Sequence, residues 1–471
     1  MLKVASDRKH QADTGYDAPE AISVEERRAA GKALREAAPR EAHGHWKAPR
    51  DRRDPVDLLN ESNVRRLPQL IPIRFGRMMA SPFAFFRGSA AIMAADLAVM
   101  PASGIRVQAC GDAHMMNFGG FATPERNVVF DINDFDETLP APWEWDLKRL
   151  AASLVIAARQ LDHSESDAAR AATAAVRSYR EKMADYAGMR ALQVWYDKID
   201  IDRFIKAVAE TTKKREAIEK TLEKARKRSV PEFLFPKLAE HQGSTPRIID
   251  APPLIFHPTA EQAPGLRTAF QTQIVQYRES LPENVRVLFD RYRFCDMAYK
   301  VVGIGSVGTL CGVMLMMAGD EDPIFLQVKE ASESVLEPYA GGSLHKNHGE
   351  RVVAGQRLMQ SASDIFLGWV TGADGRDRYV RQLRDMKMSP MIEDWDSSEL
   401  RAYGRACAWA LARAHARSGD AALISGYIGS SGAFDDAICE FATEYADQNR
   451  RDHRALVKAV REGRVEATAE A

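Results

Sequence analysis

Two short apolar segments, each followed at once by acidic residues, constrain this chain more than any other feature. Residues 107–110 lead into Gly-Asp-Ala-His, and residues 128–130 lead into Asp-Ile-Asn-Asp-Phe-Asp-Glu. Short apolar runs that end in polar turns are typical of β-strands, so the pattern predicts two strands that deliver carboxylates to one place. Carboxylates that close together need a cation or several hydrogen-bond donors among them. The aspartates concerned are Asp112, Asp131, Asp134, Asp136 and Asp146.

The spacing of Asp112 and Asn117 indicates a particular use for such carboxylates. Kinase-type phosphotransferases contain an Asp-x-x-x-x-Asn element, in which the Asp accepts the proton of the substrate hydroxyl and the Asn holds Mg²⁺. Mg²⁺ commonly binds through one or two protein carboxylates together with substrate phosphates. The alternative is structural, because Asp-rich turns after strands also serve as helix caps and loop residues.

Residues 110–117, Cys-Gly-Asp-Ala-His-Met-Met-Asn, resemble the catalytic loop of aminoglycoside and choline kinases, which usually reads His-Gly-Asp-x-His-x-x-Asn. Cys110 departs from that pattern, in which a histidine makes a structural hydrogen bond. Residues 134–137 resemble the Asp-Phe-Asp-x metal segment of the same families, and Asp146 has the spacing of the Asp that begins their next helix. The resemblance implies that Asp112 is the catalytic base.

The same resemblance implies that Asn117 and Asp134 hold Mg²⁺, with Asp136 in the same metal-binding segment. Asp131 competes with Asp134 for this role, since it directly follows the apolar residues 128–130. His114 is a further candidate for the catalytic site. An imidazole can act there as a ligand or can make a structural hydrogen bond.

A second motif begins at residue 292. Residues 292–302, 309–317 and 324–329 predict strands, and residues 303–308 form a Gly-x-Gly-x-x-Gly loop between the first two. A dinucleotide-binding loop would lead into a helix, whereas this one leads into β-branched apolar residues. The order is that of a kinase nucleotide-binding lobe, in which the loop and a strand lysine contact the ATP phosphates. The predicted ATP-binding residues are Gly303, Gly305, Ser306, Gly308 and Lys329.

In the kinase layout, the helix after the lysine supplies a glutamate that pairs with it. Glu350, in a predicted helix at residues 345–361, is the candidate, and Glu330, Glu333 and Glu337 are alternatives. Residues 364–383 predict two strands around a turn. Residues 398–417 predict an amphipathic helix, similar to the one that leads into the catalytic loop of aminoglycoside kinases.

The two motifs occur in the opposite order to that of ordinary kinases, with the catalytic loop before the Gly loop. The sequence therefore predicts an α+β, two-lobed protein-kinase-like fold that is circularly permuted, with a small β-rich nucleotide lobe and a larger helical lobe. We expect a polar N-terminal arm (1–55), a helical lobe with the catalytic and metal-binding loops (56–290), the nucleotide-binding lobe (291–390) and C-terminal helices that return to the helical lobe (391–471).

The chain also resembles, over roughly residues 50–460, the uncharacterised bacterial family called domain of unknown function 2252. This resemblance implies a kinase-like relationship but no established reaction. The segments that carry it are residues 81–88, 111–119, 130–137, 302–308, 327–331, 356–360 and 412–420.

Composition narrows the possible partners. The formal net charge is −1, so nothing indicates a nucleic-acid or acidic membrane partner. The basic run at residues 213–228 alternates with glutamates and fits a solvated helix. The five cysteines show no paired spacing and no apolar segment is long enough to span a bilayer, so we expect a reduced cytoplasmic protein. The arginines near the site, Arg74, Arg77 and Arg87, could be phosphate clamps or structural ion-pair partners.

The predicted function is ATP- and Mg²⁺-dependent phosphoryl transfer to a hydroxyl of a small molecule. One alternative is a nucleotide-binding module without transfer activity. A second is a metallophosphoesterase that uses Asp112 and His114 as ligands, together with a pair such as Asn347 and His348. The sequence indicates neither the acceptor nor the oligomeric state.

Overall fold

The structure is a computed structural model that describes residues 22–468 except 210, 229–230, 243–244, 253, 258–265, 301–306, 310, 320–321, 384–387 and 389. Gly303, Gly305 and Ser306 of the predicted Gly loop lie outside the described residues. The described residues form both helices and antiparallel strands, which confirms the predicted α+β class.

The strands form one larger sheet and three pairs. Strands β7 to β12 form an antiparallel six-stranded sheet in the order β11-β12-β10-β9-β8-β7, while β1 pairs with β4, β2 with β3 and β5 with β6. Their bounds are β1 Arg106–Ala109, β2 Phe118–Ala122, β3 Val128–Ile132, β4 Leu139–Pro142, β5 Ala239–Gln242, β6 Thr245–Ile248, β7 Ile255–Phe256, β8 Arg293–Lys300, β9 Cys311–Met317, β10 Pro323–Glu330, β11 Gly368–Thr371 and β12 Asp377–Gln382.

The α-helices make up most of the remaining described chain. None of those described combines the length and apolar character needed to cross a bilayer. They are α1 Val24–Ala33, α2 Pro55–Asn63, α3 Ile71–Met79, α4 Pro82–Gly88, α5 Ala90–Ala98, α6 Trp143–Gln160, α7 Glu165–Ala187, α8 Ala191–Tyr196, α9 Ile201–Val208, α10 Thr212–Arg228, α11 Pro231–Leu238, α12 Leu266–Ser280, α13 Glu283–Phe289, α14 Glu337–Ala340, α15 His348–Met359, α16 Ser397–Ser418, α17 Ala421–Ile428 and α18 Ala433–Arg461.

The six-stranded sheet is covered on both faces. Met314 and Met316 of β9 belong to the cluster packed around α12 and α13, whereas Val313 and Leu315 belong to the cluster on the opposite face. Strands buried on both faces have continuous rather than alternating apolar sequences. Strand β10 lies inside this sheet, between β9 and β12. Lys329, near the end of β10, is a buried cation with only 2% of its surface exposed.

The largest core lies among α6, α7, α16 and α18. Helix α6 is buried along nearly its whole length, and Trp143 at its start stacks on Tyr179 with ring centroids 5.5 Å apart. Helix α16 begins with a capping box, in which Asp396 accepts from the backbone N–H of Glu399 and the Glu399 side chain accepts in return. These helices form the support on which the site is built.

The described part of the predicted N-terminal arm, residues 22–55, packs against the C-terminal helices. Helix α1 contacts α17, and Arg35 Nε donates to the backbone oxygen of Tyr427 over 2.8 Å. Arg52 bridges Asp96 and Asp452 with bonds of 2.7 Å to each. This segment is therefore anchored by several specific contacts.

Candidate functional site

Two neighbouring loops, residues 110–117 and 133–138, form the centre of the site. They lie side by side because their flanking strands are paired, β1 with β4 (Ala109 opposite Leu139) and β2 with β3. Both loops border a cavity of about 320 Å³. The predicted site residues that line this cavity are Asp112, His114, Asn117, Asp134 and Asp136.

The first loop is held in place by Asp146, at the start of α6. The backbone N–H groups of Cys110 and Gly111 donate to the two oxygens of Asp146 over 2.6 and 2.9 Å. His415 Nε2, on α16, lies 3.2 Å from one of these oxygens. Asp146 is thus a positioning residue for the loop.

The two loops also touch each other directly. Gly111 has φ +84°, and a Cβ there would lie 2.3 Å from the backbone oxygen of Glu137, so any larger residue would strain the backbone and push the two loops apart. Cys110 Sγ donates to the backbone oxygen of Asp134 over 3.3 Å. Cys110, which departs from the expected loop pattern, therefore makes a structural hydrogen bond of its own.

Asp112 is oriented by Arg149. Arg149 Nε donates to Asp112 Oδ1, and Arg149 Nη2 donates to the backbone oxygen of Phe86 over 2.9 Å. The guanidinium also lies 4.3 Å above the centre of the Phe86 ring. Asp112 Oδ2 accepts no hydrogen bond from the described residues, and its side chain is 19% exposed. One oxygen of this carboxylate is therefore open to a ligand.

His114 lines the cavity as a neutral imidazole. Burial lowers the pKa of His114 to about 3, although Asp112 opposes the shift. His114 Nε2 lies 3.9 Å from Asp112 Oδ2, and Nδ1 is buried with no hydrogen-bond partner in the described part of the chain. His114 can therefore donate or accept a hydrogen bond at the site, but it carries no charge near neutral pH.

Asn117 and Asp134 offer oxygen atoms suited to Mg²⁺. Asn117 Nδ2 donates to the backbone oxygen of Asp112 over 2.8 Å, which leaves Oδ1 for a ligand. Asp134 accepts a 3.3 Å bond from the backbone N–H of Asp136 and forms no salt bridge within the described residues. Among those residues, no three His, Cys, Asp or Glu side chains are close enough to hold a metal. The donors present fit a hard cation that is completed by substrate oxygens.

Lys329 reaches the second loop from β10. Lys329 Nζ lies 2.6 Å from Asp136 Oδ2, and the Tyr379 hydroxyl donates to Asp136 Oδ1 over 2.6 Å. Burial alone would lower the pKa of Lys329, but Asp134 and Asp136 hold it well above its usual range. Burial alone would raise the pKa of Asp136, but Lys329 and Tyr379 lower it to about 2. The ion pair therefore stays charged across the physiological range.

The prediction that Glu350 pairs with Lys329 is wrong. Glu350 lies in the first turn of α15, its side chain is 37% exposed, and its Oε1 is 3.4 Å from His345 Nδ1. Arg351 of α15 reaches the site, since its guanidinium donates to the backbone oxygens of Asp136 and Thr138 over 2.8 and 2.7 Å. Lys329 has Asp136 as its carboxylate partner instead.

The prediction of Asp131 as a metal ligand also needs correction. Both of its oxygens accept from Arg413 Nη2, and Oδ2 additionally accepts from Ser361 N and Oγ over 2.9 and 3.0 Å. Asp131 is fully buried and does not line the cavity. Asp131 is a structural ion-pair partner, whereas Asp134 faces the cavity.

Gly308, at the end of the Gly motif, lies against Arg66 and Leu67, and Arg66 lines the cavity. Its backbone oxygen accepts from the N–H of Leu67 over 2.8 Å, and Arg66 Nη1 donates to the backbone oxygen of Val307 over 2.5 Å. Gly308 has φ +90°, and a Cβ there would lie 3.0 Å from Arg66 Cβ. Val307 and Gly308 thus contact Arg66 beside the site.

Among the described residues, the Asn-His pair considered for a metallophosphoesterase lies away from Asp112. Asn347 caps α15, accepting from Glu350 N over 2.9 Å and donating to Asp377 over 2.8 Å. Neither Asn347 nor His348 lines the cavity that contains Asp112. This geometry disfavours the metallophosphoesterase alternative.

A family model described as an uncharacterized protein conserved in bacteria, DUF2252, matches residues 66–459. The chain belongs to this family. No curated protein and no solved structure matches the chain. The DUF2252 match includes both loops, Lys329 and α16.

Several residues of this DUF2252 site were missed at the level of the sequence. Arg149, Tyr379 and Arg351 contact the two loops from positions 37, 243 and 215 residues away in the chain. A sequence pattern that spans a few neighbouring residues cannot predict such distant contacts. One signal was present for Asp131, because the apolar run of β3 continues with Ile132 and so indicated that Asp131 lies within the strand.

Proposed function

We propose that this DUF2252 chain transfers the terminal phosphoryl group of ATP, in a Mg²⁺-dependent reaction, to a hydroxyl of a small molecule, using a circularly permuted kinase-like fold. The observation that carries the proposal is the 2.6 Å salt bridge between Lys329 and Asp136. It joins the predicted nucleotide-binding strand to the predicted metal segment across 193 residues of chain. Chance resemblance of two unrelated motifs would not require that contact.

A second contact supports the permuted order. The backbone N–H of Gln108, in β1, donates to Ser418 Oγ at the end of α16 over 3.2 Å. In the aminoglycoside kinases that the chain resembles, a helix similar to α16 leads directly into the catalytic loop. Here the end of α16 and the strand before the proposed catalytic loop would be neighbours in space, although they are far apart in the sequence, as a circular permutation requires.

The proposed reaction relies on positioning and charge neutralisation. The acceptor hydroxyl oxygen bonds to the terminal phosphorus as the bond from that phosphorus to ADP breaks, and Asp112 Oδ2 takes the hydroxyl proton. Arg149 holds Asp112 Oδ1 and so fixes the orientation of the carboxylate. Lys329 would pair with ATP phosphates. Asp134 and Asn117 would hold Mg²⁺, which supplies charge neutralisation when bound.

Thermal unfolding with and without Mg-ATP tests the nucleotide site. Ligand at about 100 times its dissociation constant stabilises by about 2.7 kcal/mol. We expect a Mg²⁺-dependent rise in Tm for the wild type that is reduced in both Lys329→Ala and Asp134→Asn. The exposed controls Lys458→Ala and Asp394→Asn should keep the rise. No rise at millimolar Mg-ATP in folded wild type would contradict the proposal.

A nucleotide-binding module without transfer activity is the second candidate. The observation that favours it is the pairing of Asp112 with Arg149, since a carboxylate already paired with a guanidinium is a weaker proton acceptor. ADP release in the presence of a pool of small hydroxyl compounds separates the two candidates. Phosphoryl transfer predicts release that Asp112→Asn abolishes while Mg-ATP stabilisation persists. The inactive module predicts stabilisation with no release from either protein.

A further inference from the structure

The cavity beside Asp112 has a basic wall that the proposed reaction does not use. Arg66, Arg74 and Arg87 line the same 320 Å³ space as Asp112. They come from the segment between α2 and α5, which precedes the first of the two loops. A cavity that is acidic on one side and basic on the other can bind a ligand with an anionic group of its own.

None of the three guanidiniums forms a salt bridge with a carboxylate of the described residues. Arg74 is 2% exposed and donates to neutral oxygens, those of Asn63, of Ser62 over 3.1 Å and of the Gly88 backbone over 2.9 Å. Arg66 donates to the backbone oxygens of Val307 and Ser62. Nε of Arg87 and Nε of Arg74 are buried and have no hydrogen-bond partner among the described residues.

Among the described residues, no carboxylate that lines the cavity forms a salt bridge with these arginines, and three of those carboxylates have cationic partners elsewhere. Those pairs are Asp112–Arg149, Asp136–Lys329 and Glu330–Arg376. Burial lowers the pKa of all three unpaired guanidiniums, and that of Arg74 falls well below its usual range. Buried cations without anionic partners are unfavourable, and an anionic ligand would relieve that cost.

We propose that Arg66 and Arg87, supported by Arg74, bind a phosphate or carboxylate group of the acceptor, so that the acceptor is an anionic small molecule with a free hydroxyl. Guanidinium forks match the paired oxygens of both groups. Arg87 lies close enough to Asp112 to interact with its charge, so an anion there would place the rest of the acceptor beside the proposed base. The acceptor role rests on the proposed function, whereas the anion site does not.

Isothermal titration with inorganic phosphate, at constant ionic strength and without nucleotide, tests the anion site. We expect the wild type to bind phosphate saturably. The phosphate affinity of Arg87→Gln should be lower by about tenfold or more, because this variant loses a charged hydrogen-bond donor. Arg454→Gln, an exposed arginine on α18, should bind as the wild type does. Circular dichroism checks that the variants fold. Absence of saturable binding by wild type, or equal binding by a folded Arg87→Gln protein, would overturn the proposal.

The same titration with Mg²⁺ and a saturating non-hydrolysable ATP analogue identifies the source of the anion. An acceptor group predicts that phosphate still binds, because nucleotide and acceptor occupy the cavity together. Loss of phosphate binding would assign the arginines to the terminal phosphate of the nucleotide and overturn the acceptor role. Phosphate binding by a protein that does not bind the analogue would leave the anion site standing and refute both phosphoryl transfer and the acceptor role.

Discussion

Asp131 and Arg413 form an ion pair in which neither side chain is exposed to solvent, with Arg413 Nη2 lying 2.8 and 2.7 Å from the two carboxylate oxygens. Nε and Nη1 of Arg413 are buried, and no described residue forms a hydrogen bond with either. The carboxylate therefore supplies most of the compensation for a buried charge. This contact links β3 to α16 directly behind the loop that contains Asp134.

Removing one member of this pair should destabilise the protein strongly. Asp131→Ala leaves the Arg413 charge buried and unpaired, and we expect the free energy of unfolding to fall by about 3–5 kcal/mol. Asp134→Asn, which changes a carboxylate without a salt bridge in the described chain, should cost no more than about 1 kcal/mol. Urea denaturation at pH 7 measures both. An Asp131→Ala protein with wild-type stability but no Mg-ATP binding would contradict the structural role.

The choice of lysine partner gives a second prediction. Lys329 pairs with Asp136 and lies apart from Glu350. Glu350→Gln should therefore leave the Mg-ATP affinity within about twofold of wild type. Lys329→Met should weaken that affinity by about tenfold or more, because the variant loses a charged hydrogen bond. Fluorescence titration with a labelled ATP analogue measures both. A comparable loss in Glu350→Gln would mean that the glutamate moves to the lysine when nucleotide binds.

Local patterns in the sequence predicted the elements around the site well. The helix expected at residues 398–417 is α16, Ser397–Ser418, and the strand expected at 324–329 is β10, Pro323–Glu330. These signals succeed because helical periodicity, capping residues and apolar strands act over a few neighbouring residues. The two apolar runs that end in acidic residues likewise predicted two strands that bring carboxylates together, and the strand pairs β1–β4 and β2–β3 place the two loops side by side.

Local sequence patterns could not predict contacts between residues that are far apart in the chain. Tyr379 and Arg351 reach Asp136 only after the sheet and α15 pack against the loops. The same limit explains the error at Glu350, whose helix begins at His348 and presents Arg351 to the site. A residue's position in a helix can be predicted locally, whereas the side that meets a distant carboxylate depends on tertiary packing.

Two glycines with similar backbones offer a third prediction. Gly111 and Gly104 have φ of +84° and +81°, but a Cβ at Gly111 would lie 2.3 Å from the Glu137 backbone oxygen, while a Cβ at Gly104 would meet no atom of the described residues within 4 Å. Gly104→Ala should cost about 1–2 kcal/mol for the left-handed conformation alone. Gly111→Ala should cost at least about 1 kcal/mol more, because the two loops must separate. Equal losses in thermal denaturation would mean that the loops separate without strain.

Glu137 provides a prediction about pH. Burial raises the pKa of this carboxyl to about 7, with Asp136 and Asp112 adding to the shift and the Val335 N–H and Arg351 opposing it. An unfolded glutamate titrates at about 4.3, so the fold favours the protonated form. The resulting stabilisation is fully present below the unfolded pKa and is lost as the pH rises through the folded pKa.

We therefore expect the unfolding free energy of the wild type, measured relative to Glu137→Gln, to fall between about pH 4.5 and 7.5, by on the order of 3 kcal/mol. Asp136 does not interfere in this window, because its pKa is lowered to about 2 and its contribution is lost only at more acidic pH. Urea denaturation of both proteins at several pH values measures the difference. A difference that stays constant with pH would show that Glu137 is ionised in the folded protein, as it would be if its carboxylate had gained a cationic partner in the cavity.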